Sequence, residues 1–257
     1  MWRDYHHTEF AVEDGILYLK VTHPELAFAP PRGKGVGIRS YERIIGYCEE
    51  NNSSTLFRSV SQAVLEKLLD MFPGAKPRTD RAWSDYLYLS GDLKLLEGRR
   101  FAGQRNHINR FLREYPIWSF ERIDGTNMSD ARLFIERNAL ENVKDSVIYN
   151  EGSIKALEVL DNLELYGQVG GILRIEGKVV GVSLGETVGD TLYIHTEKAD
   201  VAYQGAYPML MNQFAVNFAT EDIAYINREE DDGVEGLRIS KMSYHPIELL
   251  EKFKVEV

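Results

Sequence analysis

The sequence has a single cysteine, Cys48, and no long uninterrupted apolar run. A single cysteine excludes an internal disulfide and a cysteine-based zinc site, and it is typical of a reducing compartment. Charged residues interrupt every apolar stretch well before the roughly 18 residues that a membrane-spanning helix needs. The first residues, Met1 to Tyr5, contain no apolar segment of the kind found in signal peptides. We therefore expect a cytoplasmic protein without a transmembrane segment.

Basic residues are scarce overall, and the net charge of −10 argues against a protein that coats nucleic acid. The charge is uneven, however. Residues 1–116 have 17 Lys and Arg against 15 Asp and Glu, whereas residues 117–257 have 13 against 25. Within the first part, residues 94–113 hold six Lys and Arg and one acid, Glu97. A local basic segment of this kind can still contact phosphates.

The length of 257 residues fits one large domain or two of about 125 residues each. Apolar residues make up 44% and charged residues 27%, which is the balance of an ordinary globular protein. Phe and Tyr, 11 and 14 in number, are enough to pack a sizeable core. Composition therefore excludes disorder, collagen and coiled coil as the main architecture.

Apolar periodicity, interrupted by glycine- and proline-containing turns, predicts strands and helices in both halves. Predicted strands cover residues 8–12, 16–21, 26–28, 55–57, 85–89, 169–175, 178–185, 191–196, 223–227 and 249–257. Predicted helices cover residues 38–48, 60–72, 98–115, 130–142, 153–163, 207–218 and 236–241. Both halves follow the order meander, glycine-bearing turn, helix, strand, helix, strand, which favours a duplicated architecture. We expect a first half over residues 1–97, a connecting basic helix over 98–116 and a second half over 117–257.

Two glycine-bearing turns lie between a predicted strand and a predicted helix, where backbone N–H groups and the helix dipole can hold a phosphate. The first, Arg32-Gly33-Lys34-Gly35-Val36-Gly37, fits the pattern with which GNAT acyltransferases hold the pyrophosphate of coenzyme A. The second, Tyr203-Gln204-Gly205-Ala206, has the corresponding place in the second half but fits that pattern poorly. The alternative for each is a loop without a ligand.

The predicted helix over residues 98–115 has an arginine-rich side. Arg105, Asn109 and Arg113 share one face, with Asn106 and Arg110 beside it. This face either contacts RNA or cofactor phosphates, which arginine forks bind well, or is a solvated surface.

Polar residues follow the buried-looking strand at 223–227, a usual ligand position in α/β proteins. The acids of Asn227-Arg228-Glu229-Glu230-Asp231-Asp232 can receive an amine, and Asn227 and Glu229 are nearest the strand end. The alternative is a solvated turn.

Three further positions carry groups that transfer protons. Tyr244 can donate a proton and His245 can accept one, unless the tyrosine is simply buried in a capped turn. His195 lies in the middle of a predicted strand, where a histidine is more often structural. Glu197 follows two residues later on the same predicted face, which allows the two to act together. No residue spacing indicates a metal site.

Two long motifs resemble a known family. The first runs through Gly98-Arg99-Arg100-Phe101 and Arg105-Asn106-His107-Ile108-Asn109-Arg110-Phe111. The second runs through Tyr225-Ile226-Asn227-Arg228-Glu229, Gly233, Gly236-Leu237-Arg238, Lys241 and Ser243-Tyr244-His245-Pro246. With Trp2-Arg3-Asp4-Tyr5 and Pro30-Pro31, they resemble the DUF2156 family, which is akin to the soluble C-terminal domain of phosphatidylglycerol lysyltransferases, the bacterial lysylphosphatidylglycerol synthases.

The resemblance covers essentially the whole chain and implies a fold. That fold is α/β (α+β), with two tandem GNAT-like acyltransferase halves, mixed mainly antiparallel sheets and flanking helices. The family usually carries a helical segment before the Trp2-Arg3-Asp4-Tyr5 stretch, so we expect the first half to lack its opening helix.

The resemblance also implies an activity. The expected reaction is transfer of an aminoacyl group from charged tRNA to an amine or hydroxyl acceptor, either a lipid headgroup or a small molecule, with no permanently bound cofactor. The alternatives are an acyl-CoA-dependent N-acyltransferase that uses Arg32, Gly33, Gly35 and Gly37, and a non-catalytic binding protein on the same fold. The flippase region of the lipid-modifying enzymes has no counterpart in this sequence.

Site roles follow from the motifs taken together. Tyr244, His245 and Glu229 are the catalytic candidates. Asn227, Glu229 and Asp232 are the candidates for orienting the amine. The candidates for binding the donor are Arg105, Asn106, Asn109, Arg110, Gly205, Arg238 and Lys241.

Overall fold

A computed structural model describes residues 6–142 and 147–257 of the chain. The motif Trp2-Arg3-Asp4-Tyr5 lies outside these described residues. Contacts divide the chain into two compact units: residues 6–85 together with Leu250–Val257, and Tyr86–Leu249. No helix within the described ranges is long and apolar enough to cross a membrane.

The first unit is built on one sheet with the strand order β1-β2-β3-β5-β14-β6, and β4 pairs with β2. Its strands are β1 (Glu9–Glu13), β2 (Ile16–Val21), β3 (Ala27–Phe28), β4 (Arg32–Gly33), β5 (Leu56–Ser61), β6 (Lys76–Thr79) and β14 (Lys252–Glu256). Its helices are α1 (Ile38–Glu50) and α2 (Gln62–Met71). The core packs Phe28, Tyr41, Ile44, Cys48, Phe57, Val60, Leu65, Leu68, Phe253 and Val255 together.

The second unit is built on another sheet with the order β13-β7-β12-β11-β10-β9-β8. Its strands are β7 (Asp85–Leu89), β8 (Trp118–Arg122), β9 (Gln168–Ile175), β10 (Lys178–Val188), β11 (Thr191–Ala199), β12 (Tyr225–Asn227) and β13 (Glu248–Leu250). Its helices are α3 (Ser90–Leu95), α4 (Ala102–Glu114), α5 (Met128–Asn142), α6 (Val147–Asp161), α7 (Ala206–Phe218) and α8 (Glu235–Met242).

Both units contain the same local arrangement, as the predicted duplicated order requires. An antiparallel meander is followed by a helix and then by a strand parallel to the last strand of the meander. In the first unit β3, α1 and β5 form this crossover. In the second, β11, α7 and β12 form it. Helices of the second unit bury their apolar sides on the sheet, with Met211, Phe214 and Ala215 of α7 fully buried.

The boundaries of the units differ from the predicted ones. The change of unit occurs at Asp85/Tyr86, and Leu250–Val257 returns to the first unit. The reason is pairing between distant strands. β7 pairs with β12, whereas β14 inserts between β5 and β6 and buries Phe253 and Val255. Local periodicity does not reveal which sheet a strand joins.

Two predicted elements are each divided in the structure. The helix predicted over residues 98–115 is a 3₁₀ turn at Arg99–Phe101 followed by α4, and Leu96 and Gly98 have left-handed or positive φ angles just before it. The strand predicted over 249–257 is β13 and β14, which belong to different sheets. Helix α3 and strands β4, β6 and β8 were not predicted, because they are short or lack a clear apolar period.

Candidate active site

The two parallel strands of the second unit separate at their carboxyl ends. β11 and β12 pair only through Thr191–Tyr225, Leu192–Ile226 and Tyr193–Asn227. On its other side β11 has a bulge, because Leu184 pairs with Thr196 and Gly185 with Ile194, which leaves His195 unpaired. Beyond Tyr193 the backbone of β11 has no partner strand on the β12 side among the described residues. Side chains cross this opening instead.

A buried ion pair bridges β11 and the end of β12 across this opening. Arg228, which directly follows β12, donates to Glu197 Oε2 of β11 from Nε at 3.0 Å and from Nη2 at 2.7 Å. The guanidinium lies over the Tyr244 ring at 4.8 Å from its centroid and near the Tyr88 ring at 5.9 Å. Burial alone would lower the pKa of Arg228, but Glu197 outweighs it and raises the pKa. Arg228 therefore stays charged inside the fold.

This ion pair leaves one atom unsatisfied on each side. Arg228 Nη1 and Glu197 Oε1 are buried and have no hydrogen-bond partner among the described residues. Buried polar atoms are rarely left in this state, because each costs about 1–3 kcal/mol, more when charged. An enclosed water molecule or a ligand group would supply the missing partners at this opening.

A histidine between two carboxylates forms a second bridge across the opening. His195 Nδ1 lies 2.7 Å from Glu229 Oε1, and its Nε2 lies 3.1 Å from Glu186 Oε1. Burial would lower the pKa of His195, but the hydrogen bond and charge of Glu229, followed by the charge of Glu186, raise it. Both ring nitrogens donate at once only when the imidazole is protonated. At rest the cluster is therefore a carboxylate–imidazolium–carboxylate arrangement.

The loop after β12 is fixed in an unusual backbone conformation. Glu229 has a φ angle of 54°, in the left-handed region that L-residues other than Asn and Asp rarely adopt, and Asp232 has one of 49°. Asn227 Oδ1 accepts a bond from the Glu229 N–H at 2.7 Å. Lys241 of α8 donates to the carbonyl oxygens of Arg228 at 2.6 Å, Glu229 at 3.3 Å and Glu230. These bonds hold the loop so that Arg228 and Glu229 face β11.

Asp231 ties the far end of the same loop to α8 and β7. Its carboxylate is fully buried, accepts two bonds from Arg238 at 2.9 and 3.0 Å, and accepts one from the Tyr86 hydroxyl at 2.6 Å. The bonds from Arg238, then Tyr86, hold the pKa of Asp231 far below its ordinary value. Asp231 is thus a structural anchor, and Arg238, which was predicted to bind the donor, is its partner.

Asp231→Asn is expected to lower the free energy of unfolding by about 3 kcal/mol at pH 7, because a buried charged network loses one partner. The depressed pKa stabilises the fold above about pH 4, and this contribution is lost as pH falls through the folded-state pKa. Urea unfolding should therefore show a constant difference between the two proteins from about pH 5 to 8 and a smaller one below about pH 4. A difference that persists unchanged in strong acid would contradict the assignment.

A cavity of about 410 Å³ opens beside Arg228. It has no acidic residue among its described lining, although the chain carries 40 Asp and Glu. Hydroxyl, amide and aromatic groups dominate it instead, and Arg228 lies 7% exposed at its wall. The lining residues are Gln104, His107, Val201, Tyr203, Gln204, Gly205, Ala206, Tyr207, Pro208, Arg228, Ser240, Ser243 and Tyr244. Such a surface suits an electron-rich ligand group such as a carbonyl, carboxylate or phosphate oxygen.

Gly205 lies in the cavity wall, where the start of α7 packs closely against α4. Its φ angle is +83°, and a Cβ placed on it would lie 2.5 Å from the His107 carbonyl oxygen and 3.0 Å from Phe111 Cβ. The predicted donor-binding glycine therefore lines the cavity and lets α7 begin directly against α4. Only glycine satisfies both the backbone angle and the short distance.

Gly205→Ala is expected to lower the free energy of unfolding by about 2–4 kcal/mol, because backbone strain and a steric clash add. Gly177→Ala is the matched control, since Gly177 has a φ angle of +79° and an added Cβ would meet no other atom within 4 Å. This control should lower the free energy of unfolding by only about 1–2 kcal/mol, because the strained backbone angle is its only cost. Equal losses in urea unfolding of the two variants would contradict the close packing.

The predicted basic helix presents its residues in two groups. Arg105 Nη1 donates to the carbonyl oxygens of Leu96 and Gly98, so it fixes the preceding turn. Asn106, Asn109 and Arg110 are exposed on α4, and Arg110 pairs with Glu114 at 2.6 Å. Neither group lines the cavity. The cavity side of α4 instead presents Gln104 and His107, which the sequence did not single out as binding residues.

Of the two proton-transfer candidates near the carboxyl end, the structure brings one to the cavity. Tyr244 is 3% exposed, lines the cavity, and has its pKa raised by burial, so its phenol remains protonated. His245 is exposed, and its Nε2 bonds the Arg100 carbonyl oxygen at 2.9 Å. His245 therefore positions the start of α4 and is not among the residues that line the cavity.

The predicted pairing of His195 with Glu197 is not what the structure contains. The bulge at His195 interrupts the alternation of side chains along β11. Glu197 consequently pairs with Arg228, and His195 pairs with Glu186 and Glu229. Asn227 Oδ1 accepts a bond from the backbone N–H of Glu229, whereas Asp232 is exposed at the loop tip. A bulge has no clear sequence signal here, so Glu186 and Arg228 were missed as site residues and Glu197 was given the wrong partner.

Close packing and backbone angles explain the glycines of the Arg32–Gly37 segment in the first unit. Arg32–Gly33 forms β4 against β2, and a Cβ on Gly33 would lie 2.3 Å from the Gly15 carbonyl oxygen. Gly35 has a φ angle of +89°, and Gly37 precedes α1 in an extended conformation. These requirements account for the glycines at 33 and 35 without a bound pyrophosphate.

Comparison with known proteins agrees with this architecture. A solved structure of a conserved protein of unknown function from Bacteroides thetaiotaomicron is 33% identical, with a TM-score of 0.94, covering 100% of this chain and 88% of that one. The structure of L-PGS from Bacillus licheniformis is 14% identical, with a TM-score of 0.68, covering 97% and 83%. A tandem GNAT protein from clavulanic acid biosynthesis is 8% identical, with a TM-score of 0.51, covering 94% and 78%. The fold is thus a tandem GNAT-like one.

One curated relative aligns with this chain over part of that relative's length. The uncharacterized protein MYCGA3080 of Mycoplasmoides gallisepticum is 23% identical over 192 residues, which are 68% of this chain and 56% of that protein. The match therefore spans about half of that relative.

A family model covers nearly all of the sequence. The model described as "Phosphatidylglycerol lysyltransferase, C-terminal" matches residues 1–256. The motifs at residues 98–111 and 225–246 lie within this match, and the second of them forms the strand opening described above. This chain belongs to the phosphatidylglycerol lysyltransferase C-terminal family, DUF2156.

Proposed function

We propose that this protein transfers an aminoacyl group from a charged tRNA to an amine or hydroxyl acceptor at the opening between β11 and β12. Membership of a lysyltransferase family supports the reaction class. The single observation that supports the location is Arg228, a buried cation that lines a 410 Å³ cavity with no acidic residue among its described lining. An acyl oxygen of a donor bound in the cavity would lie beside this positive charge.

The chemistry required of the site is stabilisation of an oxyanion. The acceptor attacks the ester carbonyl carbon, and negative charge develops on the carbonyl oxygen. Arg228 provides a fixed positive charge at the cavity wall, where this oxygen would lie. Tyr244, whose phenol stays protonated because burial raises its pKa, is positioned to donate a proton to the leaving ribose oxygen.

The outer surface of α4 suits the remainder of the donor. Arg110 and Arg113 are exposed on this helix, beside Asn106 and Asn109. Arginine and amide side chains contact phosphates independently of base sequence, and such contacts weaken with salt. We assign this face to the backbone of the tRNA acceptor stem.

The test is a transfer assay with the full chain and bulk tRNA charged with radiolabelled amino acids. Loss of label from tRNA into a small-molecule or lipid product is expected, with no turnover of acetyl-CoA in parallel reactions. Turnover of acyl-CoA with charged tRNA inert would overturn the proposed donor. Binding of charged tRNA without any turnover would overturn the enzyme assignment in favour of a binding protein.

Binding of the tRNA should depend on α4. Arg110→Ala/Arg113→Ala should weaken tRNA binding by about tenfold or more and reduce its salt dependence, whereas Arg39→Ala, an exposed arginine at the start of α1, should leave it unchanged. Equal binding by the parent protein and both variants would contradict the role of α4.

A further inference from the structure

The Glu186–His195–Glu229 cluster is open to a ligand on its carboxylate side. The His195 side chain is only 11% exposed, but those of Glu186 and Glu229 are 33% and 34% exposed. Both glutamate side chains are therefore partly exposed while they hold the imidazole between them. A ligand approaching the cluster meets two acids first and the histidine behind them.

The cluster lies at the same strand ends as the cavity. Arg228 and Glu229 are consecutive residues, and each crosses from the end of β12 to β11, one to Glu197 and the other to His195. Glu197 Oε1 is buried at this opening without a donor among the described residues. The strand ends thus place the positive charge of Arg228 at the cavity wall and the carboxylates of Glu186 and Glu229 at His195.

The charge of these residues discriminates between the two acceptor classes. A cationic amine gains from the partly exposed carboxylates of Glu186 and Glu229, whereas a neutral hydroxyl gains little. An anionic headgroup such as phosphatidylglycerol is repelled.

We propose that the acceptor is a cationic primary amine, received by Glu186 and Glu229, and that His195 is the general base that deprotonates it. This inference rests on the proposed aminoacyl transfer and names its acceptor. The groups that face His195 in the described chain are Glu186 from β10, Glu229 after β12 and the stacked Tyr193 ring at 6.4 Å. Lys241 Nζ donates to the Glu229 carbonyl oxygen and Asn227 Oδ1 accepts from the Glu229 N–H, and these bonds keep Glu229 in place for this role.

The proton balance follows from the resting imidazolium. At rest the positive charge of the His195 imidazolium balances the carboxylates of Glu186 and Glu229. When the ammonium binds to these carboxylates, it takes over this role, and His195 releases its proton to solvent. Neutral His195 then takes a proton from the ammonium, and the free amine attacks the ester carbon. A C–N bond forms and the ester C–O bond breaks. The ribose oxygen takes a proton from Tyr244, and the second proton that the nitrogen loses restores the phenol. The products are an amide and deacylated tRNA, with one proton released in each turnover.

An acceptor panel tests the predicted class directly. Radiolabelled aminoacyl-tRNA is incubated with the full chain and with 1,4-diaminobutane, glycerol or vesicles of phosphatidylglycerol. Transfer to the diamine is expected, at a rate about 100-fold or more above transfer to glycerol or to vesicles. Transfer to the vesicles with the diamine inert would overturn the inference and leave the proposed aminoacyl transfer standing.

Variants separate the two roles within the cluster. His195→Gln should lower kcat for the diamine by about 100- to 1,000-fold with little change in KM, because the base is lost. Glu186→Gln should raise the KM for the diamine about tenfold with a smaller effect on kcat, and Glu186→Asp should recover part of the loss. Glu176→Gln, an exposed glutamate of the β9–β10 turn, is the matched control and should change neither. An unchanged kcat in folded His195→Gln would overturn the base assignment.

A binding measurement makes the inference independent of turnover. Titration of the protein with 1,4-diaminobutane near neutral pH, in two buffers of different ionisation enthalpy, reports the protons released on binding. Release is expected in the parent protein and not in His195→Gln. Absence of diamine binding would overturn the inference even if aminoacyl transfer occurs. Binding with proton release would support it even if charged tRNA is not the donor.

Discussion

Replacing Arg228 by methionine is expected to lower the free energy of unfolding by about 3–5 kcal/mol and to reduce aminoacyl transfer by about 100-fold or more. Methionine approximates the stem of arginine but leaves the Glu197 carboxylate buried without a counter-ion, which is the costly state of a broken buried ion pair. It also removes the positive charge that we assign to the oxyanion. Urea unfolding and the tRNA transfer assay measure the two losses separately.

A double variant distinguishes the structural loss from the functional one. Arg228→Met/Glu197→Gln removes both charges, and replacing a whole buried ion pair by neutral groups is often close to neutral in stability. Most of the lost stability should therefore return, while transfer stays at the level of Arg228→Met. Recovery of transfer together with stability would show that Arg228 acts only as the partner of Glu197.

The second large effect is expected at Lys241. Lys241→Met removes the ammonium that bonds the carbonyl oxygens of Arg228, Glu229 and Glu230. Burial lowers the pKa of Lys241, and the lost charged hydrogen bonds should reduce the free energy of unfolding by about 2–3 kcal/mol. Glu229 would be free to leave its left-handed conformation, so transfer should fall by about 50-fold or more.

Lys67→Met serves as the control for this variant, because Lys67 is an exposed residue of α2. Its free energy of unfolding should stay within about 0.5 kcal/mol of the parent value, as is usual for surface substitutions. Normal transfer by folded Lys241→Met would contradict the view that the ammonium holds the catalytic loop. It would also remove the prediction that Lys241 binds the donor directly.

Most of the local structure of this chain follows from apolar periodicity. Helix α7 buries Met211, Phe214 and Ala215 on one sheet, and its pattern predicts that helix closely. Strands β9 to β11 have long apolar runs with Glu176-Gly177 and Gly189-Asp190 at the turns, so the meander was predicted with its order. Elements without this signal, such as α3 and β6, were missed because their positions depend on contacts with distant residues.

The candidate site was predicted only in part, for the same reason. The motif over residues 225–246 identified Asn227, Glu229, Tyr244 and Lys241, which lie around the strand opening. It did not identify Glu186, which is far from Glu229 in the sequence and reaches it through His195. The basic residues of α4 remain a prediction for tRNA contact, since the cavity side of that helix belongs to Gln104 and His107.

By itself the sequence determined the type and order of the main elements, the turns that need glycine, and the family to which the chain belongs. These depend on neighbouring residues, because backbone preference and apolar period act over a few positions. Only the tertiary structure decided that Leu250–Val257 returns to the first unit and that Arg228 pairs with Glu197 while Glu229 pairs with His195. Sheet register, a bulge at His195 and burial of charge select those partners, and none of these acts locally.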